Sequence, residues 1–175
     1  MKRHLLPHIL IISFVFLLAP TAQAASYEAE KRHRAEKELE DAKEEVRRNP
    51  DDAMAYASLG IAYHNVHKTK EAIKTLKQAI RMDPDNRYGY SYLARVYGET
   101  GEYKKAIKLR EKMLNNDPYD QLNIIQLGFD YVIIGDKDSA FEMYKRLKKL
   151  NNHNGAKTVL KAINGEFDFL ERKKK

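Results

Sequence analysis

The sequence contains no cysteine, and this absence removes several kinds of protein from consideration. Without thiols there is no disulfide, no cysteine nucleophile and no cysteine ligand for a metal. Gly-x-Ser-x-Gly and glycine-rich phosphate-loop motifs are missing too, so the common signatures of hydrolases and nucleotide-binding enzymes are not met. We expect a chain held together by packing alone, with no enzymatic activity and no cofactor.

Glycine and proline are scarce, with 8 and 5 copies in 175 residues. Leu, Ala, Lys, Glu and Arg dominate instead, and this composition favours helices. Hydrophobic residues make up 43% of the chain and charged residues 33%, which is too apolar for disorder and too charged for a large globular core. The composition predicts a thin all-helical fold with a large surface.

The N-terminus has an apolar run that is too short to span a membrane. Lys2 and Arg3 precede this run, which covers residues 9–19, whereas a transmembrane helix needs roughly 20 apolar residues. Ala22 and Ala24 supply the small residues that the cleavage site of a signal peptidase requires. We predict that residues 1–24 are a secretory signal peptide, with an uncleaved anchor as the alternative. After cleavage we expect no stable membrane span.

Export restricts the compartment and the partners. The sequence has no Asn-x-Ser/Thr sequon, so we expect the bacterial periplasm, with extracellular release as the alternative. The net charge is +7, and part of it lies in a basic tail at residues 171–175 that is typical of a solvated chain end. Because Lys and Arg alternate with Glu and Asp along the chain, we expect no nucleic-acid partner.

One short phrase recurs every 34 residues. It reads NPDD at 49–52, DPDN at 83–86 and DPYD at 117–120. Apolar and small residues recur at the same interval. Five columns match: Tyr56/Tyr90/Ile124, Leu59/Leu93/Leu127, Gly60/Ala94/Gly128, Tyr63/Tyr97/Tyr131 and Ala72/Ala106/Ala140. The interval therefore defines a structural repeat.

Each repeat has the apolar spacing of two helices. Tyr56, Leu59 and Tyr63 share one helical face, and Ala72, Leu76 and Ala79 share a second. Pro84 stops the second helix, and Asp85 or Asn86 can cap the next one. Gly101 and Gly135 supply the turn inside the second and third repeats, whereas His67 stands at that place in the first.

This pattern resembles the tetratricopeptide repeat. The resemblance identifies three units within residues 51–154, at 53–86, 87–120 and 121–154. It implies an all-α, right-handed superhelical solenoid of helix-turn-helix units. Arg110, in place of a large apolar residue, departs from the pattern.

Both ends of the array are predicted to be covered by helices. In residues 25–50, Leu39, Ala42 and Val46 form a narrow apolar stripe within a charged segment, which indicates an N-terminal half-unit that caps the first pair. Residues 155–170 are predicted to form a C-terminal capping helix.

The resemblance also implies where a partner would bind, because the first helix of each unit lines the concave side in this family. The implied lining is Met54, Ala57, Ile61 and His64, then Tyr88, Ser91, Tyr92 and Arg95, then Leu122, Ile125, Phe129 and Val132. We expect a non-enzymatic scaffold of the bacterial envelope that binds a protein or peptide segment there. The alternative is an assembly or oligomerisation module that works through its outer faces. Burial of the third unit's apolar residues by the C-terminal helix is the competing interpretation of the groove.

A metal site is not expected. His64 and His67 lie close to one helix end, but no third ligand accompanies them. We interpret them as solvated residues of a turn.

Overall fold

The computed structural model describes residues 7–166, with side chains from residue 23 onward. Within this range every regular element is a helix, which confirms the predicted all-helical class. The helices are α1 (Pro7–Arg48), α2 (Ala53–Asn65), α3 (Thr69–Met82), α4 (Arg87–Glu99), α5 (Tyr103–Asn116), α6 (Gln121–Ile134), α7 (Lys137–Lys149) and α8 (His153–Ile163). Each helix packs against its neighbours in sequence, as expected of a solenoid of stacked pairs.

The helix α1 meets the array through its C-terminal part. Leu39 is buried in a cluster with Leu59 and Ala62 of α2, and Ala42 and Val46 pack beside it. The predicted boundary after residue 24 lies inside α1, whereas residues 1–6 of the predicted signal lie outside the described residues. In the part of the chain that the structure describes, no helix has the length and apolar content needed to cross a membrane.

The recurring four-residue segment forms the connections between successive helix pairs. Asp83 ends α3 in an extended conformation, which the following proline favours. Asn86 caps α4, because its Oδ1 accepts a hydrogen bond of 2.7 Å from the backbone N–H of Gly89. Asp120 caps α6 in the same way by accepting from the N–H of Asn123 at 3.1 Å. Of the two candidates, Asn86 rather than Asp85 is therefore the cap.

The turns inside the pairs share one backbone conformation. Gly101 and Gly135 have φ values of 82° and 84°, and His67 has a φ of 60° at the equivalent place. All three are in the left-handed region, which disfavours residues with a Cβ atom. As predicted from the sequence, the first turn is thus the least relaxed of the three.

The far end of the array is covered by α8. Val159 is fully buried against α6, and its side chain leaves Gly128 little room for a Cβ atom. The helix α8 begins at His153, two residues before the range predicted for the cap (155–170). Residues 167–170 of that range and the basic tail at 171–175 lie outside the described residues.

Candidate partner-binding groove

A groove of about 520 Å³ lies between α4 and α6 and is called the α4–α6 groove below. Five of the residues implied by the sequence line it: Tyr88, Ser91, Tyr92, Arg95 and Leu122. Tyr88 is 55% exposed and Leu122 is 66% exposed, so large apolar surfaces face solvent at its edge. Exposed apolar surface that is bordered by polar groups is typical of a site for a protein partner.

The charged groups of this groove are held in place by neighbouring side chains. Arg95 lies over the ring of Tyr92, with its guanidinium carbon 4.7 Å from the ring centroid. Arg87 donates to Asp120 at 2.8 Å and lies 3.5 Å from Asp117. Among the described residues no carboxylate pairs with Arg95. Its charge is therefore available to an acidic group of a partner.

The base of the groove contains a buried ion pair. Arg110 Nε donates to Asp130 Oδ2 at 2.9 Å, and both side chains are only 8% exposed. Asn123 is also buried, and its Nδ2 donates to the backbone carbonyl of Arg110 at 2.8 Å. These bonds tie α5 to α6 directly beneath the groove. The pair explains why a charged residue, Arg110, replaces a large apolar one in the second unit.

The first unit contributes little to this groove. Ala57, which the sequence assigns to the binding surface, is fully buried and packs inside the array. Met54 is 46% exposed, and Ile61 is half-buried. His64 is half-buried with its Nε2 3.4 Å from Glu99, so it connects α2 to the end of α4. None of the four residues lines the α4–α6 groove.

The third unit is divided between groove and core. Leu122 lines the groove, whereas Ile125 packs into the core cluster formed with α8. A Cβ atom on Gly155 would lie 2.7 Å from Ile125 Cδ1, which shows how closely α8 covers that side chain. Phe129 and Val132 are half-buried and do not line the groove. The competing interpretation of burial by the C-terminal helix therefore applies to Ile125.

Six further residues line the α4–α6 groove and were not predicted from the sequence: Arg87, Arg110, Met113, Asp120, Asn123 and Gln126. For Arg110, the repeat columns do contain a sequence signal. Arg110 shares its column with Leu76 and Tyr144, and Asp130 shares its column with Ala62 and Val96. Two opposite charges in otherwise uncharged columns of facing helices indicate a buried pair.

Comparison with known proteins connects this geometry to a family. The family model described as tetratricopeptide repeat matches residues 66–122. A solved tetratricopeptide repeat protein from Parabacteroides merdae is similar in fold, with a TM-score of 0.68 and 21% identity over 85% of this chain. Residues 66–122 therefore carry the tetratricopeptide repeat, which confirms the resemblance inferred from the repeated columns. Proteins with this repeat are typically non-enzymatic scaffolds that bind protein partners.

Other solved structures resemble this chain over shorter regions. The MamA protein is 29% identical and has a TM-score of 0.61, with 66% of this chain and 63% of that chain covered. A thermophilic repeat protein from Thermus thermophilus is 23% identical and has a TM-score of 0.61, with 71% of each chain covered. The chain spans 63% of the length of MamA and 61% of the Parabacteroides protein. No curated protein matches it.

Proposed function

We propose that this protein binds a peptide segment of a partner protein in the α4–α6 groove. The observation that carries the proposal is the exposure of Tyr88 and Leu122 on opposite sides of an open groove. Aromatic side chains provide a large contact area and lose little conformational entropy on binding. Apolar side chains of an incoming segment would remove both residues from water.

The polar groups of the groove support the same function. Arg95 and Ser91 lie on the α4 wall beside Tyr92, and Gln126 lies on the α6 wall. Hydrogen-bond donors and acceptors on both walls suit the backbone of an extended peptide, which carries one donor and one acceptor for most residues. Since stacking on Tyr92 restricts Arg95, less entropy is lost when its guanidinium binds a carboxylate.

Binding should depend on the exposed apolar residues. We expect Tyr88→Glu combined with Leu122→Glu to abolish retention of partners from an extract of the source cells, because two charges would be placed on the contact surface. The measurement is affinity capture on immobilised protein, with mass spectrometry of the retained proteins.

Tyr119→Glu is the matched control, because Tyr119 is 73% exposed and does not line the groove. We expect this variant to retain the same proteins as the parent chain. Far-UV circular dichroism should show unchanged helicity for all variants. The proposal is wrong if the double variant remains helical and captures the same proteins in the same amounts.

We infer that this binding takes place in a bacterial envelope, as the N-terminal pattern of basic, apolar and small residues suggests. Export would remove residues 1–24 and leave the rest of α1 as the N-terminal helix. We expect N-terminal sequencing of the protein from the periplasmic fraction to begin at Ala25. Recovery of the intact chain from the cytoplasm would contradict this inference.

A further inference from the structure

A second groove lies on another side of the array, between α3 and α5, and is called the α3–α5 groove below. It has a volume of about 470 Å³, and its floor is formed by Tyr90, Leu93 and Tyr97 of α4. Five basic residues form its walls, and no lining residue is acidic. These are Lys77 and Arg81 on α3, and Lys105, Lys108 and Lys112 on α5. Helical spacing places each set on one face of its helix.

The positive charges of this groove are poorly compensated. Lys77 and Lys105 lie over the ring of Tyr97, at 5.9 and 5.1 Å from its centroid, and Lys112 lies 4.5 Å from that of Tyr90. Within residues 23–166, Lys105 alone among the five has a carboxylate partner, Glu102. A contact between a cation and an aromatic ring is weak at exposed sites and leaves the positive charge in place. The walls therefore attract negative charge from outside.

The repeat itself does not require these cations. At the positions equivalent to Lys77 and Lys108, the next repeat carries Glu111 and Glu142. The corresponding walls of α5 and α7 are thus mixed in charge, although the helices pair in the same way. Since the fold forms without an all-basic groove in one repeat, it does not require the concentration of charge in the other.

The depth of the floor restricts the ligands that the groove can accept. Leu93 is 2% exposed and Tyr97 is 5% exposed, so neither can insert into a bilayer or stack against a nucleic-acid base. Ile80 and Leu109 are half-buried beside them and offer aliphatic surface. Small apolar groups of a ligand can enter between the lysine rows, while carboxylates on either side of them meet the ammonium groups.

We propose that the α3–α5 groove binds an acidic amphipathic segment of a partner protein. The apolar side chains of the segment contact Ile80 and Leu109, and its carboxylates pair with Lys77 on one wall and Lys108 on the other. This site is separate from the α4–α6 groove, since Tyr90, Leu93 and Tyr97 occupy the opposite side of α4 from Tyr88, Tyr92 and Arg95. The two grooves would allow one protein to hold two segments together.

A synthetic peptide tests this proposal. The probe is a fluorescein-labelled peptide of about 15 residues, long enough for about four helical turns, with leucines on one face and glutamates on both sides of them. A second peptide carries glutamine at every glutamate position, and a third carries lysine. Fluorescence anisotropy with the purified chain should show binding of the glutamate peptide, little binding of the glutamine peptide and none of the lysine peptide.

Variants of the walls make the test specific. Lys77→Glu with Lys108→Glu should weaken binding of the glutamate peptide by about tenfold or more, because one cation on each wall is replaced by an anion. Lys74→Glu with Lys104→Glu is the matched control, because both lysines are exposed on the same two helices but do not line the groove. Far-UV circular dichroism should show the same helicity for both double variants, so that a loss confined to the groove variant is not caused by unfolding.

Four outcomes would overturn the proposal. The first is equal binding of the glutamate and glutamine peptides, and the second is an equal loss in the control variant, which would indicate only a general electrostatic field. The third is binding of vesicles containing phosphatidylglycerol that depends on Lys77 and Lys108 while the peptide fails to bind. The fourth is binding of single-stranded DNA that depends on Lys77 and Lys108 while the peptide fails to bind.

Discussion

Replacing Asp130 with Asn is expected to destabilise the protein by about 3–5 kcal/mol, because the substitution leaves the guanidinium of Arg110 buried without a counter-charge. Arg110 Nε donates to Asp130 Oδ2 at 2.9 Å, and each side chain is 8% exposed, so water cannot replace the lost carboxylate. Urea unfolding followed by far-UV circular dichroism would measure the change in the free energy of unfolding.

The control for this prediction is the double variant Arg110→Met with Asp130→Asn. It contains no buried charge, so it should be more stable than Asp130→Asn alone, although it has one substitution more. The Arg87–Asp117 pair offers a second comparison, since Arg87 is 62% exposed and Asp117 is 46% exposed. Asp117→Asn should change the free energy of unfolding by less than about 1 kcal/mol. Equal effects of Asp130→Asn and Asp117→Asn would show that burial does not govern this interaction.

The fold could be predicted from the sequence because local residue patterns define the repeat. Pro84 and Pro118 mark the joints, and the intervening apolar residues have helical spacing, so the pairing of helices follows without knowledge of distant contacts. The position of Leu39 in the cluster with Leu59 also follows from the same periodicity. Helix ends depend on single hydrogen bonds, such as that from Gly89 N–H to Asn86, and were predicted less closely.

The groove was only partly predictable, because its shape depends on how successive pairs are placed against each other. Ala57 occupies the position equivalent to Ser91, yet Ala57 is fully buried, whereas Ser91 lines a groove. The helices α2 and α4 pack directly, so the space on that side is closed, whereas α4 and α6 leave a groove between them. Register assigns a residue to a face of its helix, but the distance between neighbouring helices decides whether that face is open.

The helix α4 contributes residues to both grooves. Tyr88, Tyr92 and Arg95 face the α4–α6 groove, and Tyr90 and Tyr97 form part of the floor of the α3–α5 groove. The helix α4 forms one wall of the α4–α6 groove and the floor of the α3–α5 groove, and it packs against α3, α5 and α2. Any substitution that tilts α4 is therefore expected to affect both proposed sites, which is why the binding variants described above alter wall or edge residues.

Gly60→Ala is expected to destabilise the protein by about 1–3 kcal/mol, although alanine is the better helix former. A Cβ atom at this position would lie 2.6 Å from Cγ of Leu76 and 3.2 Å from its backbone nitrogen. Leu76 is fully buried, so it has no free volume in which to move, and α2 would have to separate from α3. Thermal and urea unfolding would both report the loss.

Gly98→Ala is the matched control, because it makes the same chemical change in α4 where space is available. The nearest atom to a Cβ at Gly98 is Asp130 Oδ1 at 3.9 Å, which is an ordinary contact. Alanine should therefore stabilise the chain there by up to about 1 kcal/mol through its helix propensity and a smaller loss of backbone entropy on folding. Opposite signs at the two glycines would show that close approach of α2 and α3, rather than a general need for glycine, explains Gly60. A stabilising effect of Gly60→Ala would contradict the packing of the first pair.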